Sequence, residues 1–189
     1  MKLTHQVFIR LFCAVIIIQG FHVLEHIIQL AQVYLFDVAE DDAFGLLGYF
    51  WHPQRTEEWL HLGFNGLYAF ALYALVVPLW RLVGRGVPLW SFAVFAVGGV
   101  AFETWHVVEH IVIISNVIQN SGCPCPGIGD RVLGVTDTQL HFVYNAIAYA
   151  ATVTAFWFAI EARDDNEERS PMTDPRKLLG ATEGGVGNA

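Results

Sequence analysis

The stretch IIIQGFHVLEHIIQLAQVYLF, residues 16–36, decides the fold class. It is long enough for a membrane-spanning helix, because about 20 predominantly apolar residues cross the hydrocarbon core of a bilayer. At its centre, HVLEH at residues 22–26 places three ionisable side chains. Hydrocarbon offers such groups no hydrogen bonds, so a spanning helix carries them only where they face a partner, an ion or water. The rest of the sequence must therefore supply what these side chains face.

The composition of the whole chain is that of an integral membrane protein. Of its 189 residues, 54% are hydrophobic and only 15% are charged, whereas a soluble domain carries about 25% charged residues. Four apolar stretches reach the length that a spanning helix needs. We therefore predict an all-α integral membrane protein, a four-transmembrane-helix bundle in contact with the lipid bilayer, with spans at residues 7–36, 57–83, 88–119 and 137–162.

The orientation follows from the basic residues. Lys2 and Arg10 precede the first apolar stretch, as they would in a secretory signal, but no small-x-small cleavage site follows, so we predict that this helix is retained. The positive-inside rule then places both termini in the cytoplasm, because only Arg55 and Arg131 are left outside. We expect a multi-pass protein of a bacterial inner membrane or a plasma membrane.

Acidic residues give the chain its net charge of −8 and are concentrated in two tracts, residues 37–42 and 161–169. These tracts have the character of solvated helix ends, so we predict no nucleic-acid partner. Pro, Gly and charged residues dominate the stretch at 170–189, which we predict to be a disordered cytoplasmic tail. The transmembrane domain is then residues 1–169.

The central motif occurs twice. HVLEH at residues 22–26 recurs as HVVEH at 106–110, 84 positions later, and TEEWLHLGFN at 56–65 recurs as TDTQLHFVYN at 136–145, 80 positions later. Such self-similarity is the mark of an internal repeat. We predict two helical hairpins, at about 5–83 and 88–163, which share one orientation and are related by a pseudo-two-fold axis along the membrane normal.

The repeated polar residues predict a metal site. Side chains three and four positions apart share a helix face, and all four helices carry the motif at a similar depth, in the outer half of the bilayer. Imidazole binds Fe, Cu, Ni and Zn, and a carboxylate can bridge two ions. We expect two transition-metal ions, with Fe or Cu favoured over Zn, and the predicted ligands are His22, Glu25, His26, His61, His106, Glu109, His110 and His141.

Further polar residues lie near these ligands in the sequence. Asn65 and Asn145 follow His61 and His141 by one helical turn, and Glu103 precedes His106 by one turn, so all three are predicted to support the ligands from behind. Haem requires only two axial histidines and leaves the others unexplained. A buried proton relay or polar network without metal is the main alternative.

The motifs resemble parts of known metalloprotein families. The pentapeptides at 22–26 and 106–110 fit the H-x-x-E-H pattern of inverzincin peptidases, which implies zinc bound by two histidines and water activated by the glutamate. As His-x-x-x-His they also resemble one histidine box of the membrane desaturase and hydroxylase class. Soluble di-iron bundles use Glu-x-x-His, whereas this chain has His-x-x-Glu.

Three classes of function stay open at this stage. The first is an oxidoreductase, or a subunit of one within a larger membrane complex, with a dinuclear Fe or Cu centre. The second is a transport or accessory protein that handles Cu or Zn, and the third is a membrane zinc hydrolase with a glutamate as general base.

Cys123 and Cys125 in CPCPG could bind a soft metal, form disulfides with other partners, or lie in a loop stiffened by proline.

Overall fold

A computed structural model describes residues 5–50, 57–119 and 127–169. Within these ranges the protein is helical and contains no β-strand. Four helices are long and apolar enough to cross a membrane, at His5–Phe36, Trp59–Trp80, Leu89–Gln119 and Asp137–Ala162. The prediction of an all-α fold with four helices long and apolar enough to span a membrane is therefore confirmed for the described residues. The predicted tail at 170–189 and the two cysteines at 123 and 125 lie outside the described residues.

The helices occur in a simple order along the chain. Helix α1 (His5–Phe36) is followed by the short α2 (Gly45–Phe50) and by α3 (Glu57–Trp80). The third span comprises α4 (Leu89–Val94), a π-helical segment (Phe95–Ala101) and α5 (Phe102–Gln119). The short α6 (Ile128–Leu133) precedes α7 (Asp137–Arg169), which continues past the predicted span end at residue 162.

The π-helical segment interrupts the third span at a point where it packs closely on α7. A side-chain carbon placed on Gly98 would lie 3.1 Å from the Ala151 Cβ, so the two backbones approach each other closely here. Segments of π-helix are rare and are often found at functional sites. This one ends immediately before Phe102 and Glu103, at the start of the helix that carries the second histidine motif.

Helix pairing crosses between the two predicted hairpins. Helix α1 packs along α7, and α3 packs along α5, and both of these contacts are more extensive than the contact of α1 with α3. Helices α1 and α3 thus rest mainly on a helix from the other half of the sequence, whereas the third span and α7 also pack extensively on each other within the second half. Side chains on α1 and α7, and on α3 and α5, are consequently brought face to face.

An apolar core fills the end of the bundle at which α3 turns into α4. Phe12 is fully buried, with its ring centroid 5.2 Å from that of Phe156 and 6.1 Å from that of Phe95. On α7 the core is lined by buried alanines, whose small side chains let neighbouring helices approach closely. The principal members are Phe8, Phe12, Leu72, Leu79, Val87, Phe95, Ala148, Ala155 and Ala159.

The turn between α3 and α4 contains two glycines with positive φ, Gly84 and Gly86, and the second of them lies against α7. Gly86 has a φ of 121°, in the region that side-chain-bearing residues rarely adopt. A Cβ on Gly86 would also collide with Ala162 on α7, at 2.5 Å from its Cα. The turn therefore lies directly against the last spanning helix, and no residue larger than glycine fits between them.

Gly86→Ala is expected to destabilise the folded protein by about 1–3 kcal/mol from the backbone conformation alone, with a further loss because α7 must move away. The melting temperature of the purified protein in detergent measures this. Gly63→Ala is the control, because a Cβ at Gly63 on α3 meets nothing within 4 Å. Equal melting temperatures for the two variants would contradict the close packing of the turn.

Candidate metal centre

Six buried histidines come together from the four spanning helices. All of them are at most 8% exposed, although they are separated by up to 119 positions in sequence (141 minus 22). The long helices deliver them to one level of the bundle because each histidine motif lies at a matching depth. We refer to these residues as the histidine cluster: His22 and His26 on α1, His61 on α3, His106 and His110 on α5, and His141 on α7.

Ring contacts connect the histidine cluster without interruption. The centroid of His26 lies 5.2 Å from that of His61, which lies 5.6 Å from that of His110. The His110 centroid is in turn 4.5 Å from that of His141. His22 joins through His26 at 4.7 Å, and His106 joins through His110 at 4.8 Å. The predicted convergence of the six imidazoles is therefore present.

The two histidine motifs adopt the same local geometry. On α1, the Nε2 atoms of His22 and His26 are 3.3 Å apart, and on α5 those of His106 and His110 are 3.1 Å apart. Two protonated nitrogens cannot face each other at this distance, so at least one nitrogen of each pair presents its lone pair. A nitrogen lone pair is what a histidine offers to a metal ion.

One trio of histidines meets the distance requirement of a metal site directly. A ligand nitrogen from each of His106, His110 and His141 lies within 4.8 Å of the others. A metal bound by imidazole sits about 2.0–2.1 Å from each nitrogen, so one ion can contact all three after small side-chain movements. Three protein ligands also leave a position open for water, oxygen or substrate, as in catalytic metal sites. The residues present thus fit a metal ion.

Neighbouring polar groups orient two of the rings from behind. The Nδ1 atom of His26 is 2.7 Å from Gln29 Oε1. The Nδ1 atom of His141 lies 2.9 Å from the Asp137 carbonyl oxygen and 3.0 Å from its Oδ1. Such contacts fix the ring orientation and leave Nε2 for a ligand. The sequence analysis missed Gln29 and Asp137, although their spacing of three and four residues from a histidine places them on the same helix face.

The residues predicted to support the ligands are all buried next to the histidine cluster. Asn145 donates from Nδ2 to the His141 carbonyl oxygen at 2.9 Å and accepts from Gln19 Nε2 at 2.7 Å, which ties α7 to α1. Asn65 is fully buried and lies beside His22. Glu103 is also fully buried, with its Oε2 3.7 Å from His106 Nδ1.

The two motif glutamates bind backbone amides of the short helices. Glu25 Oε1 accepts hydrogen bonds from the amides of Leu47 at 2.6 Å and Gly48 at 3.4 Å, in the first turn of α2. Glu109 Oε1 accepts one from the Gly129 amide at 2.7 Å, in the first turn of α6. A carboxylate suits the positive end of a helix. Each glutamate thereby holds a short helix against the end of the bundle.

Glycines make these two contacts sterically possible. A Cβ on Gly45, which has a φ of 68°, would collide with Glu25 Oε1, and a Cβ on Gly127 would collide with Glu109 Oε1. The carboxylates therefore lie directly against the backbone that precedes or begins each short helix. The Oε1 atom of each glutamate already accepts a backbone hydrogen bond. The prediction that Glu25 and Glu109 are metal ligands therefore requires that each binds the metal through its Oε2 atom.

The α6 end of the bundle is acidic. Asp130 in α6 accepts a hydrogen bond from the Gly127 amide at 3.0 Å. Burial, followed by the nearby Asp137 carboxylate, raises the pKa of Asp130, whereas the Gly127 hydrogen bond lowers it. Glu109 also interacts electrostatically with Asp130, so three carboxyl groups lie near one another at this end of the bundle.

Comparison of the chain with protein-family models, with curated proteins and with solved structures gives no match.

Removal of the Glu109 carboxylate is expected to release α6. Glu109→Ala leaves the buried Gly129 amide without its acceptor, and a hydrogen bond to a charged group contributes about 1.5–3 kcal/mol. Amide hydrogen exchange in α6 should therefore accelerate, while Glu109→Gln, which keeps an acceptor oxygen, should show a smaller change. Glu161→Ala, at an exposed position on α7, is the control. Unchanged exchange in Glu109→Ala would show that this contact does not hold α6.

Proposed function

We propose that this protein is an integral membrane metalloprotein in which the histidine cluster holds two transition-metal ions, and that it acts as an oxidoreductase or as the redox subunit of a larger membrane complex. The observation that carries the proposal is the convergence of six buried imidazoles from four spanning helices. With both termini in the cytoplasm, as the basic residues favour, this site lies in the outer half of the bilayer.

A metal accounts for the polar groups better than a metal-free network does. A stable buried network satisfies every member, because an unpaired polar group in a medium of low dielectric is costly. The Nε2 pairs on α1 and on α5, at 3.3 and 3.1 Å, are satisfied when one nitrogen of each pair donates to the other. Within the described residues, however, His106 Nδ1, Glu109 Oε2 and both Glu103 oxygens lack hydrogen-bond partners. A cation in the histidine cluster supplies the positive charge that these carboxyl groups lack.

We infer two ions from a division of the histidine cluster into two trios, of which the second meets the distance requirement of a metal site. The first trio is His22, His26 and His61, and the second is His106, His110 and His141. Each trio contains an i, i+4 pair with close Nε2 atoms and one histidine from another helix. The repeated sequence motifs and the equivalent contacts of Glu25 and Glu109 support this two-part arrangement.

Nitrogen ligands and open positions favour redox chemistry. Imidazole suits Fe and Cu as well as Zn, and Fe or Cu, when bound, supplies one-electron chemistry with oxygen or another acceptor. The side chains of the protein position the ligands. Gln29 and Asp137 hold the rings of His26 and His141 in place, and α2 and α6 cover the site on the side of Glu25 and Glu109. This cover separates the histidine cluster from bulk water.

Two alternative functions have less support. A transporter needs a polar route beyond the binding site, but the apolar core of phenylalanines, leucines and alanines occupies the bundle toward the α3–α4 turn. A zinc hydrolase needs a glutamate that can activate water beside the ion, but Glu25 and Glu109 each hold a backbone amide through Oε1. Glu103 faces His106 Nδ1, not the Nε2 atoms that would hold the ion. A protein that stores or delivers Cu or Zn would use the same ligands. Identification of the bound metal and a measurement of its redox activity distinguish such a protein from an oxidoreductase.

Metal analysis tests the proposal directly. Protein purified in detergent without added metal is expected to contain two Fe or two Cu ions per chain by inductively coupled plasma mass spectrometry. His141→Ala should lose at least one ion, because the second trio keeps only two ligands. His5→Ala is the control, since His5 near the start of α1 contacts Phe8 outside the histidine cluster. A wild-type protein that remains metal-free after reconstitution with Fe and Cu would refute the proposal.

A further inference from the structure

The two halves of the chain differ in the charge of one buried residue next to the histidine cluster. Gln19 and Glu103 are equivalent in the repeat, since both precede the first histidine of the motif by three residues and 103 minus 84 is 19. Gln19 is neutral and donates to Asn145 at 2.7 Å. Glu103 carries a carboxyl group instead. The polar layer is therefore asymmetric in charge although the histidines are duplicated.

Glu103 has no compensation for its buried carboxyl group. The residue is 0% exposed, and neither oxygen has a hydrogen-bond donor within reach among the described residues. The nearest basic atom is His106 Nδ1, 3.7 Å from Oε2. A carboxylate buried in this way requires a nearby positive charge. Its only ion-pair contact in the described part of the chain is with a ring of the second trio.

His106 lies between this carboxyl group and the other histidine of its helix. Its Nε2 faces His110 Nε2 at 3.1 Å, and its Nδ1 lies 3.7 Å from Glu103 Oε2, just beyond hydrogen-bond distance. A small side-chain movement would bring Nδ1–H onto the carboxyl group, and an imidazole that binds metal through Nε2 and presents Nδ1–H to a carboxylate becomes a more basic ligand. In the first trio, the residue equivalent to Glu103 is Gln19, which is neutral and bonds to Asn145, and the neutral Gln29 contacts the other histidine of the motif, His26, at 2.7 Å.

The backbone differs at the same place. The π-helical segment Phe95–Ala101 ends one residue before α5 begins and two residues before Glu103. Helix α1, in contrast, is α-helical from His5 to Phe36. Because a π-helical turn contains more residues than an α-helical turn, the third span presents the residues around it at different angles from the first. The two halves of the chain thus differ both in side-chain charge and in backbone conformation at the same place, around Glu103.

From these observations we infer that the two metal sites are inequivalent: the trio His106, His110 and His141, whose ligand atoms lie within 4.8 Å of one another, binds its ion more tightly than the trio His22, His26 and His61, and Glu103 is a positioning residue that contributes to the difference beside Asp137, which lies behind His141. This inference rests on the proposed metal function. When an ion is bound by the second trio, a carboxylate at Glu103 favours the more positive ion, so this site also stabilises the higher oxidation state of a redox metal. The first-trio site is then the more readily exchanged or reduced of the two.

Titration of the metal-free protein with Co²⁺ in lipid nanodiscs tests the inference, with ligand-field absorption and equilibrium dialysis as readouts. The wild type should bind two ions in two steps whose dissociation constants differ by about tenfold or more, the effect expected of a carboxylate behind a ligand histidine. His106→Ala should abolish the tighter step, and His22→Ala should abolish the weaker one. The opposite assignment, or two equal steps, would overturn the inference while the metal function stands.

Substitution of the carboxyl group isolates the role of Glu103. Glu103→Gln should weaken the tighter step about 10–100-fold and shift the absorption band of the first Co²⁺ bound, whereas Glu103→Asp keeps the charge and should preserve the order of the two steps. Gln29→Leu, behind the first trio, should weaken only the second step. Ser115→Ala, on the exposed side of α5, should change neither step.

Three outcomes remain distinguishable. If the wild type binds no Co²⁺, Cu²⁺ or Zn²⁺, the proposed metal function fails and the inference fails with it. If Glu103→Gln retains the wild-type affinity and absorption band, Glu103 has no positioning role. If Glu103→Gln does not fold, the His106→Ala and His22→Ala titrations still decide whether the tighter site belongs to the second trio.

Discussion

Polar groups within a hydrocarbon layer must find partners inside the protein, and this requirement governs the structure. Six imidazoles and the carboxyl groups of Glu25, Glu103 and Glu109 are buried within long apolar helices, with His61 and His141 near the starts of theirs. A charged side chain at the centre of a spanning helix costs about 2.5–3.5 kcal/mol on insertion scales. These groups are retained together because they satisfy one another, the backbone of two short helices and, in our proposal, two cations. The four helices pack so that this layer is closed on every side that the structure describes.

The same constraint explains how the site is covered. Glu25 and Glu109 each lie between the two histidines of their motif in the sequence, so the backbone holds each glutamate next to the histidine cluster. Their Oε1 atoms bind the amides of α2 and α6, which places a helix end over each motif and satisfies amides that would otherwise be orphaned at a helix start. In each half of the chain, one glutamate therefore connects the short helix at the end of the bundle to the polar layer formed by the histidine cluster. Loss of a glutamate is expected to affect cover and site together.

Much of this arrangement could be predicted from the sequence. The length and apolarity of the four stretches determine the spans, since both are properties of single segments. The positions of His22, His26, His106 and His110 follow from helical periodicity. The convergence of His61 and His141 on them was predictable because a polar residue in a spanning helix needs a partner at its own depth.

Other features depend on tertiary contacts that no local pattern reveals. The orientation of Glu25 toward Leu47 requires knowledge of how residues 37–44 return the chain to the bundle, and the preference of α1 for α7 over α3 depends on side-chain fit. The π-helical segment at Phe95–Ala101 lies where Gly98 packs closely on α7, a tertiary contact that the sequence does not reveal. The sequence therefore predicted which residues are polar and buried, but not which oxygen of a glutamate faces which partner.

X-ray absorption spectroscopy of the metal-loaded protein tests the central claim most directly, because it reports the atoms bound to the metal. A histidine-held centre predicts nitrogen neighbours at about 2.0–2.1 Å with the multiple scattering of imidazole rings, from approximately three histidines per ion. This pattern should weaken in His106→Ala and persist in His5→Ala. Sulfur neighbours at about 2.3 Å, or a porphyrin pattern, or a spectrum of oxygen ligands without imidazole, would contradict the assignment of the metal to the histidine cluster.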